Sequence, residues 1–147
     1  MEYSQAQTGR VFVMKVNHGE NIINSLEVLA KKENLTAATI HLLGACAYAE
    51  LVIGPEDPTL PPKRYKEFIK NNASEFLGFG TIFLKDNKPN IHIHISLGNK
   101  TIVKTGHLLN NHEVFIISEV IITELLKCSA TRVWDETMQL HLLSIEK

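Results

Sequence analysis

Apolar residues recur with the period of an α-helix in one stretch near the start of the chain. Ile22, Leu26 and Leu29 are three or four residues apart, and Lys31 and Lys32 close the stretch. This spacing places the apolar side chains on one helical face, and the two cations suit the negative end of the helix dipole. The pattern predicts a helix over residues 21–33.

The segments on either side of this helix, and most of the chain after it, are typical of β-strands. Residues 9–16 and 37–43 are rich in β-branched or small apolar residues, so we expect an N-terminal βαβ unit with two parallel strands. Further strands are predicted over residues 45–53, 75–84, 91–97, 101–109, 113–125 and 138–145. The sequence therefore predicts one α+β domain over residues 1–147, a mostly antiparallel sheet with one principal helix.

Proline and asparagine mark the expected breaks between strands. Residues 54–62 hold four of the five prolines and are predicted to form a loop. Asn110-Asn111 predicts a turn between two of the later strands. Residues 64–71 fit either a short helix or an edge strand.

The strand predicted over residues 113–125 is apolar on both faces. Phe115, Ile116 and Ile117 follow one another, as do Val120 to Ile122. Since successive side chains of a strand point to opposite faces, both faces need a covering. A second layer of this chain or another subunit would supply it, and the pattern leaves both open.

Composition narrows the classes of function. Fifteen Lys and Arg against sixteen Asp and Glu leave a net charge of −1, which argues against a protein that coats nucleic acid by charge alone. Two cysteines cannot form the disulfide framework of a small secreted protein, so we expect a reducing, cytoplasmic location. We also expect no signal peptide and, without an apolar run of about 18 residues, no membrane span.

Two histidines share one face of a strand. Residues 91–97 alternate strictly, so His92, His94 and Ser96 lie on one face and the isoleucines on the other. Residues two apart on a strand are about 6–7 Å apart at the backbone, so both imidazoles can lean toward one metal ion. The simpler alternative is that they form the polar side of an amphipathic strand.

A third histidine follows where a returning strand would bring it. His107 lies 13 residues after His94, beyond a turn at Gly98-Asn99-Lys100, and Gly106 beside it would permit close backbone approach. Three neutral imidazoles with an open fourth position are typical of a catalytic or ligand-accepting zinc site. Imidazole also suits nickel, copper and iron, so spacing leaves the divalent metal open, with zinc preferred.

With these residues in place, the chain resembles the PPC (plants and prokaryotes conserved) domain family. The stretches that carry the resemblance are Gly9-Arg10-Val11-Phe12-Val13-Met14-Lys15-Val16, Gly19-Glu20, Leu43-Gly44-Ala45, Ala49-Glu50-Leu51, Glu75-Phe76-Leu77, Gly80-Thr81-Ile82, His92-Ile93-His94, Gly106-His107-Leu108, and Arg132 with Asp135-Glu136-Thr137. They occur in order over nearly the whole chain.

The resemblance implies an α+β fold that assembles as a homotrimer, with a metal-binding unit that maps onto His92, His94 and His107. It also implies the role for which this family is usually described, DNA binding. The chain departs from the family at two points. Thr105-Gly106-His107-Leu108 stands where Gly-Gly-His-Leu is usual, and no Arg-Gly-Arg-Pro core of an AT-hook occurs in these 147 residues, so a minor-groove-binding segment is missing.

Other polar residues have weaker signals. Glu75 matches a family position and is a candidate general acid or base, a partner that orients an imidazole, or a surface carboxylate. Glu119 lies in an apolar run, where we expect an ion pair with Arg10 or Arg132. The remaining expectations are a core or interface position for His41, surface positions for His18, His112 and His141, core positions for Cys46 and Cys128, and a solvated face for Lys63-Arg64-Tyr65-Lys66.

The leading hypothesis is a trimeric, metal-binding regulatory module that is associated with DNA but carries no AT-hook. The first alternative is a metal-dependent enzyme in which the ion lowers the pKa of bound water to about 7, with Glu75 as acid or base. The second is a sensor in which the metal holds a small anionic effector. An open pocket at the fourth metal position would favour the alternatives, and a sealed site a structural metal.

Overall fold

The computed structural model describes residues 1–70 and 73–146. In this part of the chain the elements are β1 (Gln7–Asn17), α1 (Ile22–Lys32), β2 (Ala37–Pro55), β3 (Arg64–Ile69), β4 (Ser74–Lys85), β5 (Lys88–Gly98), β6 (Val103–Leu126), β7 (Ala130–Asp135) and β8 (Leu140–Ile145). The predicted α+β class is confirmed. At 11 residues, α1 is too short to cross a bilayer, and the described residues contain no helix that is long and apolar enough to do so.

The N-terminal βαβ unit is split by another strand. Both β1 and β2 pair antiparallel with β6, so they run in the same direction, as predicted, but β6 lies between them. The pairings β2–β4, β4–β5, β5–β6 and β6–β2 are also all antiparallel and form a closed cycle. The sheet thus curls on itself around the core.

Two predicted breaks are bulges within long strands. Gly44 lies inside β2, and the expected turn at Asn110-Asn111 lies inside β6, where the register shifts between Ala49 and Leu51 of β2. The prediction of separate strands and of a turn at these places was therefore wrong. A bulge bends a strand without ending it, so the two halves of β6 reach different neighbours: β5 on one side and β1 on the other.

A C-terminal hairpin was missed in part. The strand expected over residues 138–145 is β8, but its partner β7, with the sequence ATRVWD, has little alternation and was not predicted. One parallel bridge, Leu84 to Thr131, joins the hairpin to β4. Residues 64–71 resolve as strand β3 (Arg64–Ile69), and residue 71 lies outside the described residues.

The hydrophobic core lies between α1 and the concave face of the sheet. Ile22, Leu26 and Ala30 of the helix are buried against the inward residues of the strands. One inward row runs across four strands through Val120, Leu42, Gly78 and Ile95. The adjacent row points outward and contains the histidines His41, His94 and His107.

Two polar predictions need correction. Glu119 is exposed and forms no ion pair with the described residues, and Arg10 instead binds Glu124 through its Nε at 2.8 Å and Glu33 through Nη1 at 3.1 Å. The Arg10 guanidinium lowers the pKa of Glu124 to about 2. Cys46 is buried, as expected, and burial raises the pKa of its thiol to about 11, which leaves it unreactive.

His112, expected on the surface, is only 4% exposed. Its Nε2 accepts the backbone N–H of Ile22 at 3.0 Å, and its Nδ1–H donates to the carbonyl of Leu109 at 2.8 Å. The ring therefore ties the first residue of α1 to the β6 bulge. The bond that Nε2 accepts needs the neutral imidazole, and burial lowers the pKa of His112 although the bond to Leu109 opposes this shift.

Replacing His112 should reduce the acid sensitivity of the fold. The unfolded histidine, with a pKa of about 6.5, binds a proton more readily than the folded one, so the stabilisation is complete above that pH and is lost as pH falls below it. We expect H112Q to lower the free energy of unfolding at pH 7 by about 1–3 kcal/mol and to flatten its decline between pH 7 and pH 5. Urea unfolding at several pH values measures both, with H18Q as the exposed control. An unchanged pH slope in H112Q would contradict this role.

Candidate metal centre

Three histidines meet at the junction of β5 and β6. His94 lies directly opposite His107 in the antiparallel register, and His92 lies two residues earlier on the same face of β5. The predicted return of the chain is thereby confirmed. At Gly106, an added Cβ would lie 2.4 Å from the carbonyl oxygen of Val52, so glycine is what lets β6 approach β2 beside His107.

The spacing of the ring nitrogens suits a small ion. The Nε2 atoms of His92 and His94 are 3.2 Å apart, and one nitrogen from each of the three rings lies within 4.8 Å of the others. Zn–N bonds of 2.0–2.1 Å in tetrahedral geometry put two nitrogens about 3.3 Å apart. One pair already has this separation, and the third ring needs only a small movement inward.

The three imidazoles are neutral near pH 7. Burial is the main cause that lowers the pKa of His92 and of His107, each to about 4, with further contributions from nearby cations and from the other rings. Burial also lowers the pKa of His94. Metal binding requires the neutral imidazole, so the three rings have the charge state that a metal ion needs.

Arg132 from β7 contacts the cluster from outside. Its Nη2 donates to Oγ1 of Thr81 at 2.9 Å and to Nδ1 of His92 at 3.0 Å. Since guanidinium is only a donor, Nδ1 of His92 must accept and its proton lies on Nε2. A metal bound through that Nε2 would move the proton to Nδ1 and break the bond to Arg132, so the position of this arginine depends on whether a metal is bound.

An open cavity borders His92 and His107. It has a volume of about 730 Å³ and is enclosed by β4, β5, the β7–β8 hairpin and Arg64 of β3. Among the described residues, the cluster consists of the three histidines with no fourth Cys, His, Asp or Glu. The Nδ1 atom of His107 is buried without a hydrogen-bond partner in this part of the chain. The donor set thus fits a three-coordinate site with one further position.

Glu75 is not brought to the histidines. Glu75 is exposed and pairs with Gly98 of β5. Phe79, the residue of β4 that lies opposite His94, is four residues further along the strand. Four residues of a strand correspond to about 13 Å. Glu75 instead borders a small cleft with Phe115 and Ile116, so its placement matches the surface alternative.

Two arginines at this site were not predicted to lie there. The sequence predicts a solvated face for Arg64 and offers Arg132, like Arg10, as a partner of Glu119, but both arginines line the cavity beside the histidines. The basic cluster around Arg64 was a local indication that this residue could bind an anion. Arg132 had only its place in the family resemblance, because nothing local shows that its strand folds back beside β4.

The profile of the Plants and Prokaryotes Conserved (PCC) domain matches residues 3–126. The β7–β8 hairpin, and with it Arg132 and Asp135-Glu136-Thr137 of the resemblance, lies beyond that match. No curated protein matches the chain.

Solved structures extend the likeness to the hairpin. A plant- and prokaryote-conserved (PPC) protein from Pyrococcus horikoshii is 26% identical, with a TM-score of 0.85, and the match covers 100% of this chain and 99% of that one. A metal-containing protein from Archaeoglobus fulgidus is 24% identical, with a TM-score of 0.86 and coverage of 98% and 99%. A protein from Ralstonia eutropha JMP134 that bears the name "putative DNA-binding protein" is 25% identical, with a TM-score of 0.72 and coverage of 91% and 90%.

Proposed function

Because this chain belongs to the Plants and Prokaryotes Conserved domain family, we propose that it is a metal-binding regulatory module whose divalent ion is held by His92, His94 and His107. The observation that carries the proposal is the convergence of these three neutral rings, with their ligand nitrogens within 4.8 Å of one another. The buried Nδ1 of His107 has no hydrogen-bond partner among the described residues, and leaving a buried polar atom without a partner is costly unless a ligand supplies one.

Zinc is the ion that best suits this donor set. Three imidazoles and one open position are the usual protein surroundings of zinc when it must accept a further ligand. His92 and His107 border a cavity, and no fourth Cys, His, Asp or Glu joins the three histidines among the described residues. This supports a site that accepts a ligand over one that only stabilises the fold.

We further propose that the chain assembles as a homotrimer through the outward face of its sheet. One row of this face runs through Val13, Ile121, His41, Phe79 and His94 to His107. Val13 is 84%, Ile121 47% and Phe79 50% exposed. Apolar side chains in such a continuous row mark an association surface, whereas the inward face is already covered by α1.

The same row links the assembly to the metal centre. His94 stands next to Phe79 in the register, so the metal centre borders the proposed subunit interface. His41, which makes an edge-on contact with Phe79 at 5.1 Å between ring centroids, would then be an interface histidine.

DNA binding is the second candidate function, and it is favoured by the name of the Ralstonia eutropha neighbour. The net charge of −1 means that such binding needs a local basic surface on the assembled protein. A metal-dependent enzyme is a weaker alternative, because Glu75, the candidate acid or base, lies about 13 Å along the strand from the position opposite His94.

The metal is tested by elemental analysis of protein purified without a His-tag. We expect about one equivalent of zinc per chain, and a loss of affinity greater than about 100-fold in H92A and H107A, since removal of a ligand should exceed the effect of losing an outer partner. H18A, an exposed histidine, is the control. Wild-type protein without stoichiometric metal would disprove the site. If the variants lose zinc but keep their circular dichroism and assembly, the ion is functional. If they lose zinc, native circular dichroism and assembly together, the ion is structural.

The assembly is tested by light scattering coupled to size exclusion. We expect a trimer for the wild type and dissociation in I121E, because the carboxylate would be buried without a partner in an apolar interface. V28E places the same charge on an exposed valine of α1 (68% exposed) and should leave the trimer intact. A monomeric wild type, or equal behaviour of the two variants, would contradict the proposed interface.

The DNA-binding role is tested by gel shift at low and moderate salt. Binding through 6–10 phosphates should weaken roughly 10³–10⁵-fold between about 50 and 200 mM salt. Retardation that disappears over this range supports the role. No retardation of random-sequence duplex at low salt would rule out DNA binding by the chain alone.

A further inference from the structure

The cavity beside the histidines is lined by cations without counter-ions. Arg64 of β3, Lys85 at the end of β4 and Arg132 of β7 face it, and none of the described lining residues is acidic. In the described part of the chain, ion pairs are instead formed by other cations, Arg10, Lys31 and Lys104. Three positive side chains therefore converge on one space in a protein whose net charge is −1.

Arg132 is the most confined of these cations. It is half-buried, it lies over the ring of Phe83 at 5.8 Å from the centroid, and its bonds to Thr81 and His92 use only Nη2. Its Nε is buried with no partner among the described residues. Guanidinium cannot lose its proton at physiological pH, so this charge lacks compensation. An anion in the cavity would supply it.

The remainder of the cavity wall is apolar and aromatic. Trp134, 45% exposed, lines it together with His141, whose ring meets the indole edge-on at 5.2 Å between centroids. Leu142 and Leu143 complete this wall. The volume of about 730 Å³ lies in the range of roughly 300–1,000 Å³ that is usual for sites of small organic ligands.

We propose that this cavity binds a small organic anion, with its carboxylate or phosphate held by Arg132 together with Arg64 and Lys85, and its planar ring against Trp134. Arginine suits both oxyanions because its N–H groups can donate two parallel hydrogen bonds. The ring contributes apolar contact with the indole. The cations belong to the protein, so the site does not depend on the proposed metal, although a divalent ion at His92 and His107 would strengthen it.

Two of the four proposed ligand contacts, Arg132 and Trp134, come from outside the family match. Arg132, Trp134 and His141 belong to the β7–β8 hairpin, which follows the matched residues 3–126. In the proposed anion site, the C-terminal hairpin therefore supplies a recognition surface in addition to the family domain.

Trp134 makes the test direct, because it is the only tryptophan of the chain. Its fluorescence is titrated with adenosine monophosphate against adenosine, and with benzoate against benzyl alcohol, on zinc-loaded and on chelator-treated protein. We expect saturable changes with the anions in both preparations, and a response at least about tenfold weaker with their neutral counterparts, since a charge-assisted bond is lost. The arm with the tighter binding identifies the oxyanion as phosphate or carboxylate.

Variants distinguish anion binding in the cavity from nonspecific attraction to surface cations. R132Q should weaken anion binding by about tenfold or more, and R64Q to a smaller extent, whereas K31Q removes an exposed cation of α1 and should change nothing. If R132Q alters the circular dichroism, the anion affinities of R64Q and K85Q are compared with those of the wild type and K31Q instead.

The proposal would be overturned by the absence of a saturable response to both anions, by equal responses to anion and neutral partner, or by wild-type affinity in R132Q and R64Q. Binding seen only with zinc would mean that the metal, not the cation cluster, holds the anion, and would also overturn it. Conversely, anion binding by a chain that binds no zinc would support this site while the proposed metal function fails.

Discussion

The register of β6 is the constraint on which the other features depend. This one strand pairs with β1, β2 and β5, and its bulges let its halves serve different neighbours. Because side chains alternate with a period of two, a slip by one residue would exchange its faces. His107 would then point to the core, Leu108 and Val120 would be exposed, and Gly106 would no longer occupy the close contact with Val52.

The three histidines and the cavity beside them differ in charge, although they share neighbouring residues. Burial and neighbouring cations keep His92 and His107 neutral, which is the state a metal needs. The same cations, Arg64 and Arg132, cannot be neutralised in this way and remain charged. A neutral cluster that suits a cation thus lies beside a charged wall that suits an anion, and Arg132 touches both. Its bond to His92 Nδ1 exists only while that nitrogen accepts.

The outward face of the sheet joins these features to assembly. Its rows alternate with the core rows. Near Ala37 and Phe83 this face is covered by Ala130 at the start of the β7–β8 hairpin, whereas the row through Phe79 stays exposed. Val13, Ile121 and Phe79 are exposed in the row that ends at His94 and His107. If a second and a third copy cover this face, the environment of His94 changes with assembly, while the cavity lies on the side of His92 and the hairpin.

The sequence by itself determined the features that depend on local periodicity. The alternation over residues 91–97 placed His92 and His94 on one face, and the three-and-four spacing predicted α1. The apolar character of residues 113–125 indicated that both faces of that strand need a covering. These patterns are local because side-chain direction follows from the backbone period. Cys46 was placed correctly for a similar reason, since it lies in an uninterrupted apolar segment.

Only the tertiary structure decided which distant segments meet. The continuity of β2 and β6 through their bulges depends on partners that pair on both sides, and the residues around Gly44 and Asn110 do not reveal those partners. The strand β7 has little pattern of its own and is held by β8 and a single bridge to β4, so nothing local could place Arg132 on His92. His112 was expected on the surface but is buried, and Glu75 was a candidate acid or base but lies away from the histidines. Both differences have the same cause, because burial and contacts depend on which distant segments fold against a polar residue.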